Sequence, residues 1–197
     1  MATIGLSKPY VAVYANNGSA VTYSNGTVLG GAVEFSAAIE SSKDSNLHAD
    51  NAIKESDRSF SGGTLSITTD DLTQAGSALI LGMTAKPVTV TGITAEGLTE
   101  LVYDDDVNAP YLGFGVIIKK KKDGAFKYRA VVFTKIMFNI PEDAAKTQGE
   151  TIEWQTPKLE ATVMRDDSAK HTWKREATLD TEVDAEKYIK YCLGITA

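Results

Sequence analysis

Apolar and polar positions alternate through most of this chain, and the alternation predicts strands. The richest stretch runs from Tyr111 to Met164. Two β-prone runs, Tyr111 to Ile118 and Phe126 to Phe138, flank four lysines and an Asp123-Gly124 pair. An Asp-Gly pair between such runs closes a hairpin with a type I′ turn. Setting Lys122 opposite Ala125 and counting back pairs Phe114 with Phe133, Val116 with Val131 and Ile118 with Arg129 on one side. The other side pairs Ile117 with Ala130, Gly115 with Val132 and Tyr111 with Ile136. A half-exposed hairpin is apolar on one face only, because side chains alternate across the strand. This one is apolar on both, while its tip (Lys119 to Lys122, Lys127, Arg129) is basic. The ribbon has to be covered twice, by its own domain or by a neighbouring copy.

The same reading organises the rest. Leu29, Gly31, Val33, Phe35, Ala37 and Ile39 share one parity, opposite Glu34, Ser36 and Glu40, as in a long half-buried strand. Tyr10 to Tyr14 and Ala20 to Tyr23 form a shorter pair joined by Asn16-Asn17-Gly18 turn chemistry. From Ser41 to Ser59 the alternation stops. That segment is polar with isolated apolar residues and exceeds an ordinary connection, the mark of a functional or disordered loop. Alternation resumes at Phe60, with Leu65 and Ile67 inward.

Thr69-Asp70-Asp71 reads as a helix start. Leu72, Ala75, Gly76, Leu79 and Ile80 recur at helical spacing and Gly82 is a suitable stop, giving about three turns. Val88 to Val90 and Leu98 to Tyr103 read as short strands, and Pro141 to Gly149 as a loop. Ile152, Trp154 and Thr156 share one parity while Leu159, Ala161 and Val163 share the other. A bulge or kink at Pro157 would keep both sets inward. A second helix follows Thr181, with Ala185, Ile189, Cys192 and Leu193 on one stripe. The outline is one mainly β domain (α+β) over residues 1–197, a sandwich or barrel carrying two helices.

Composition narrows the class. At 197 residues, 43% hydrophobic and 23% charged, the chain has material for one real core. No apolar run is long enough to span a bilayer, and the start lacks a basic-then-apolar signal segment. The expectation is a chain made and retained, or assembled, in a cytoplasm. The single cysteine, Cys192, excludes an internal disulfide framework and reads as a small core residue. A net charge of −6 argues against a dedicated nucleic-acid binder, but not against a protein that lets DNA pass without holding it.

Catalytic constellations are scarce. His48 and His171 have no His or Cys at metal-ligand spacing. Asp104-Asp105-Asp106 lacks the turn glycine and distant glutamate of a calcium loop and reads as a solvated strand end. Gly113-x-Gly115 lies inside a strand without a third glycine, so it reads as room for a close neighbour rather than as a phosphate loop. Lys119 to Lys122, without interleaved aromatics, solubilise a hairpin tip and discourage edge pairing. No catalytic residue, cofactor or metal ligand is expected, and the chain reads as structural or as a binding module rather than an enzyme.

Five stretches, in order, resemble the major tail proteins of long, non-contractile phage tails from phages of Gram-positive hosts. They are Ile4 to Ala12, Phe60 to Leu72, Pro110 to Gly115, Thr147 to Pro157 and Glu186 to Gly194. The resemblance implies a tail-tube fold: two packed antiparallel sheets with a flanking helix and a long extended loop. Such chains form homohexameric rings that stack into a tube. Implied partners are further copies of the chain, a tape-measure protein, tail terminator and distal tail proteins, and phage genomic DNA crossing the lumen without specific binding. The implied location is the virion, in the phage tail, after assembly in the host cytoplasm and without membrane insertion.

On that resemblance, residues 41–59 become an arm reaching an adjacent subunit or ring. Leu47 and Ile53 are its apolar anchors, and Asp50, Asn51, Gly113 and Gly115 are further expected inter-subunit contacts. A hexameric ring of chains each at −6 would repel phosphate and let DNA slide. Two other readings stay open. One is a secretion-system tube protein of the same fold. The other is a β-sandwich module binding carbohydrate or a cell-wall partner through Trp154, Trp173 and tyrosines, although Trp154 falls on the parity expected for the core.

Overall fold

The computed structural model describes residues 2–42, 45–57, 59–93, 97–105, 107–147 and 153–196, with side chains described for all but 45–48 and 57. The strands are β1 (Ala2–Asn16), β2 (Val21–Val28), β3 (Ala32–Ser41), β4 (Ser45–Ala49), β5 (Ala52–Asp57) and β6 (Phe60–Thr69). Helix α1 (Gln74–Leu81) follows, then β7 (Lys86–Pro87), β8 (Thr99–Glu100), β9 (Leu112–Lys122), β10 (Ala125–Phe138), β11 (Lys158–Met164) and β12 (Lys174–Leu179). Helix α2 (Glu182–Cys192) closes the order. The fold is mainly β, with packed antiparallel layers and a C-terminal helix.

The main sheet runs β2-β1-β9-β10-β11-β6-β3, with β12 also paired to β10. Strand β10, 14 residues long, serves two partners along one edge. Its Tyr128 to Phe133 pair with β12, and its Lys135 to Phe138 pair with β11. The Asp123-Gly124 turn forms as predicted, with φ of 51° and 81°. Five of the six predicted β9–β10 pairs are present. The sixth is corrected: Leu112, not Tyr111, opposes Ile136, because a bulge follows Phe133. There the Thr134 amide donates to the Trp173 carbonyl at 3.3 Å and its hydroxyl to the Thr172 carbonyl at 2.6 Å. The extra residue brings Leu112 and Ile136 into the core together, both fully buried.

Beyond β10 the sheet doubles back on itself. Phe35 of β3 stacks on Phe114 of β9 at 5.9 Å and lies 6.3 Å from Phe133 of β10. Between the layers sit Val11, Leu65, Val116, Phe138 and Leu159, capped by Ile80 and Leu81 of α1. The opposite face of β1, β9 and β10 is covered by α2, whose Ala185, Ile189, Cys192 and Leu193 meet Tyr10, Ala12, Ile117, Ala130 and Val132. Both apolar faces of the hairpin are therefore covered by the chain itself. At roughly 1.5–3 kcal/mol per large apolar side chain buried, each face is a substantial part of the stability.

Several boundaries differ from the pattern. Helix α1 has about two turns, starting at Gln74 with Thr73 as N-cap, whose hydroxyl accepts from the Gly76 amide at 3.1 Å. Asp70 is used elsewhere: its carboxylate accepts from the Gly31 and Asp71 amides at 2.6 and 2.8 Å, closing the end of β6. Gly82, at φ 68°, does stop the helix. Strand β3 begins at Ala32 rather than Leu29, and an irregularity between Ala32 and Glu34 leaves Val33 exposed. The short strands expected near 88–90 and 98–103 reduce to Lys86–Pro87 paired with Thr99–Glu100.

Pro157 does not bend a strand; β11 begins just after it. Its carbonyl accepts from the Thr69 amide at 3.1 Å, and the residues before it form no ladder among those described. Trp154, expected in the core, is 85% exposed. Ile152 lies outside the described residues. Strand β12 escaped the pattern because it begins Lys174-Arg175-Glu176 and carries little apolar alternation.

Candidate assembly surfaces

The segment expected to be irregular between Ser41 and Ser59 contains a second, separate sheet of two strands. Asn46 pairs with Ser56 and Ala49 with Ala52. The turn between them is Asp50-Asn51, with φ of 53° and 62°. Two consecutive left-handed residues make a type I′ turn, and Asp and Asn tolerate that region better than other side chains. A bond from the Ser42 amide to the Ser59 carbonyl, 2.7 Å, draws the base of the ribbon together. Ile53 is 60% exposed. The Leu47 side chain lies outside the described residues, while its backbone pairs with Glu55. Asp50 and Asn51 thus form the tip of an arm, and Ile53 sits two residues behind it.

Gly113 and Gly115 have a different neighbour from the one expected. A Cβ on Gly115 would lie 2.5 Å from Ile189 Cγ2, and one on Gly113 would lie 2.6 Å from both Leu193 Cδ2 and Tyr23 Cε1. The close approach is real, but α2 and β2 of the same chain make it. The expectation of inter-subunit contact at these two glycines is corrected on that ground: both are buried inside the subunit.

Among the described residues, strands β2 and β3 end the sheet order, so each offers an edge without a ladder partner. Beside β3 lies a cleft of about 600 Å³, with Thr3, Gly5 and Leu6 of β1 across from Ala32 to Ala37 and Val131 and Phe133 among its lining. Val28, Val33 and Ile39 on these edge strands are exposed.

Charged side chains hold the helix and turns around this frame. Glu186 of α2 accepts from Lys8, from the Tyr10 hydroxyl at 2.7 Å and from Lys190 at 3.0 Å. Those donors, Lys8 first, hold its carboxyl at about 2. Glu176 of β12 pairs with Lys174 at 2.6 Å and with Arg129, and is likewise held at about 2. Lys135 lies 4.4 Å from the Tyr111 ring centre, 5.1 Å from that of Tyr14, and pairs with Asp167 at 2.8 Å. The Tyr14 hydroxyl donates to Asp167 at 2.7 Å, and burial pushes this phenol up to about 12. Burial also raises the Cys192 thiol. These contacts knit β1, α2 and the β11–β12 connection into one body.

His171 lies in a turn, its Nδ1 3.3 Å from the Asp166 carbonyl oxygen. The side chain of His48 and all of Asp106 lie outside the described residues. Among the described residues no group of three His, Cys, Asp or Glu side chains is placed to hold a metal ion, and no helix is long and apolar enough to cross a membrane. Sequence reasoning missed the exposed pair Ile140 and Trp154. Their positions next to Pro141 and shortly before Pro157 were the available signal that neither stretch belongs to a ladder. No family model and no curated protein sequence matches the chain.

Proposed function

We propose that this chain is the structural subunit of a hollow tube, of the major tail protein kind its sequence resembles, and that its activity is self-assembly. The observation that carries the reading is the arm. An isolated two-stranded ribbon is marginal in water, yet this one forms its own sheet apart from the main one and leaves Ile53 exposed. A surface on another copy would hold it. Free edges on β2 and β3 support the same reading, since neighbouring subunits can complete them. The partners in this reading are homohexameric rings of the chain, a tape-measure protein inside them, tail terminator and distal tail proteins at the ends, and phage DNA crossing the lumen. The location is the virion.

Electron microscopy of the concentrated protein tests the proposal. Rings or tubes are the expected result; persistent monomers with a tape-measure protein supplied would overturn it. A secretion-system tube differs in gene context, and a neighbouring tape-measure gene separates the two. The exposed Trp154 gives one specific observation in favour of a carbohydrate-binding module, because an exposed indole is a stacking face. Glycan-array binding by a stable monomer, lost in Trp154→Ala, would favour that second reading.

A further inference from the structure

The two ends of β10 carry opposite charge. Its start forms the hairpin tip, where Lys119 to Lys122 stand against a single Asp123. Among the described residues none of these four lysines has an acidic partner, whereas Lys127 is paired with Asp180 and Arg129 with Glu176. Phe126 projects beside them, 45% exposed, with the Lys119 ammonium 4.5 Å from its ring centre. The tip is therefore basic with one aromatic anchor.

The chain leaves the other end of β10 at Asn139 and at once lines a groove of about 570 Å³. Asp71, Glu142, Asp143 and Glu160 contribute carboxylates, and among the described residues Lys158 is the one ammonium in the lining, paired with Glu160 at 2.9 Å. Asp71, Glu142 and Asp143 have no cationic partner among the described residues. Ile140 at the groove is 69% exposed. The groove is thus acidic with an apolar patch. At ~3.3 Å per residue, the strand's 14 residues set tip and groove about 45 Å apart along the chain.

We infer that these are the two halves of one head-to-tail contact: the basic β9–β10 tip of one copy seats in the acidic groove of a second copy. The occupant is chosen by charge. The arm cannot supply it, since its strands and turn carry Asp50, Glu55 and Asp57 against Lys54. The tip supplies four unpaired ammonium groups and an exposed ring. Because the halves sit at opposite ends of one rigid strand, a copy cannot satisfy its own groove. Each addition exposes a fresh half, so the association is heterologous and extends rather than closes. That this contact runs along a tube axis rests on the proposed function; the contact itself requires only a second copy.

Charge reversal tests it, read as the concentration at which sedimenting assemblies appear. Lys121→Glu with Lys122→Glu should raise that concentration about tenfold, because like charges then face each other. Glu142→Lys with Asp143→Lys should do the same, and the four changes together should bring it back to within roughly threefold of the wild type. Added salt should weaken assembly of the unmodified chain, since exposed pairs are screened at ~3 Å in 1 M salt. Circular dichroism of each variant separates lost folding from lost docking, and the salt series needs no variant. Reversal at one site only, without effect at the other, would mean a different occupant and overturn the pairing. Charge variants that assemble like the wild type would overturn the contact and leave the tube reading standing. A wild type that never assembles would overturn both.

Discussion

At the scale of single residues, Gly115 is a tightly constrained position. Its neighbour Ile189 is β-branched and stiff, so it cannot swing away from an added methyl group 2.5 Å distant. Gly115→Ala is expected to destabilise the chain by about 1–3 kcal/mol in urea unfolding. Adding Ile189→Ala should return part of that loss, a non-additivity that a double-mutant cycle would measure. A Gly115→Ala variant as stable as the wild type would contradict the packing. The sequence marked this glycine as room for a neighbour but could not name the neighbour, which arrives from more than seventy residues away. Glu186 sets a second expectation. Its carboxyl sits at about 2 in the fold against an ordinary value of 4.5, and Glu176 behaves alike. A lowered folded value stabilises fully above the ordinary value and fades as pH falls toward 2. Stability should therefore decline between pH 4.5 and 2, and Glu186→Gln should flatten that decline while costing about 1–2 kcal/mol at neutral pH.

At the scale of elements, legibility followed burial. The β9–β10 hairpin was readable almost to the residue because both faces are apolar and the turn is Asp-Gly. Its one error came from a bulge, which no alternation pattern announces when apolar residues continue on both sides. The stripe of α2 was readable for the same reason, since Ala185, Ile189 and Cys192 do face the core. The arm and β12 were not: the described side chains of β5 are exposed, and β12 opens on three charged residues, so neither gives an apolar alternation to read. Trp154 misled by identity: a large aromatic on a core parity outside any strand has no core to enter. The arm's independence yields a further expectation. Deleting Asn46 to Lys54 should leave global stability within about 0.5 kcal/mol by thermal melting, because the ribbon pairs with itself alone, while assembly is lost. Unfolding of the shortened chain would show that the arm belongs to the body.

At the scale of the molecule, one sheet folded back on itself leaves its two end strands available while both faces of its β1, β9 and β10 strands are already filled. Such a body joins neighbours at edges and ends without rearranging its interior. If it assembles, partners bind only the folded form, so the apparent melting temperature should climb with protein concentration. A melting temperature that ignores concentration over a hundredfold range would count against any assembly in solution. The interior also carries its own reporter. Cys192 is the only thiol in the chain, sits at the last turn of α2 and is 7% exposed. A thiol reagent can reach it only when that turn lifts from the strands below, so the labelling rate times the local opening of α2 without any introduced probe. Compared between free subunits and assemblies, the same clock would register whether joining neighbours tightens the helix or loosens it.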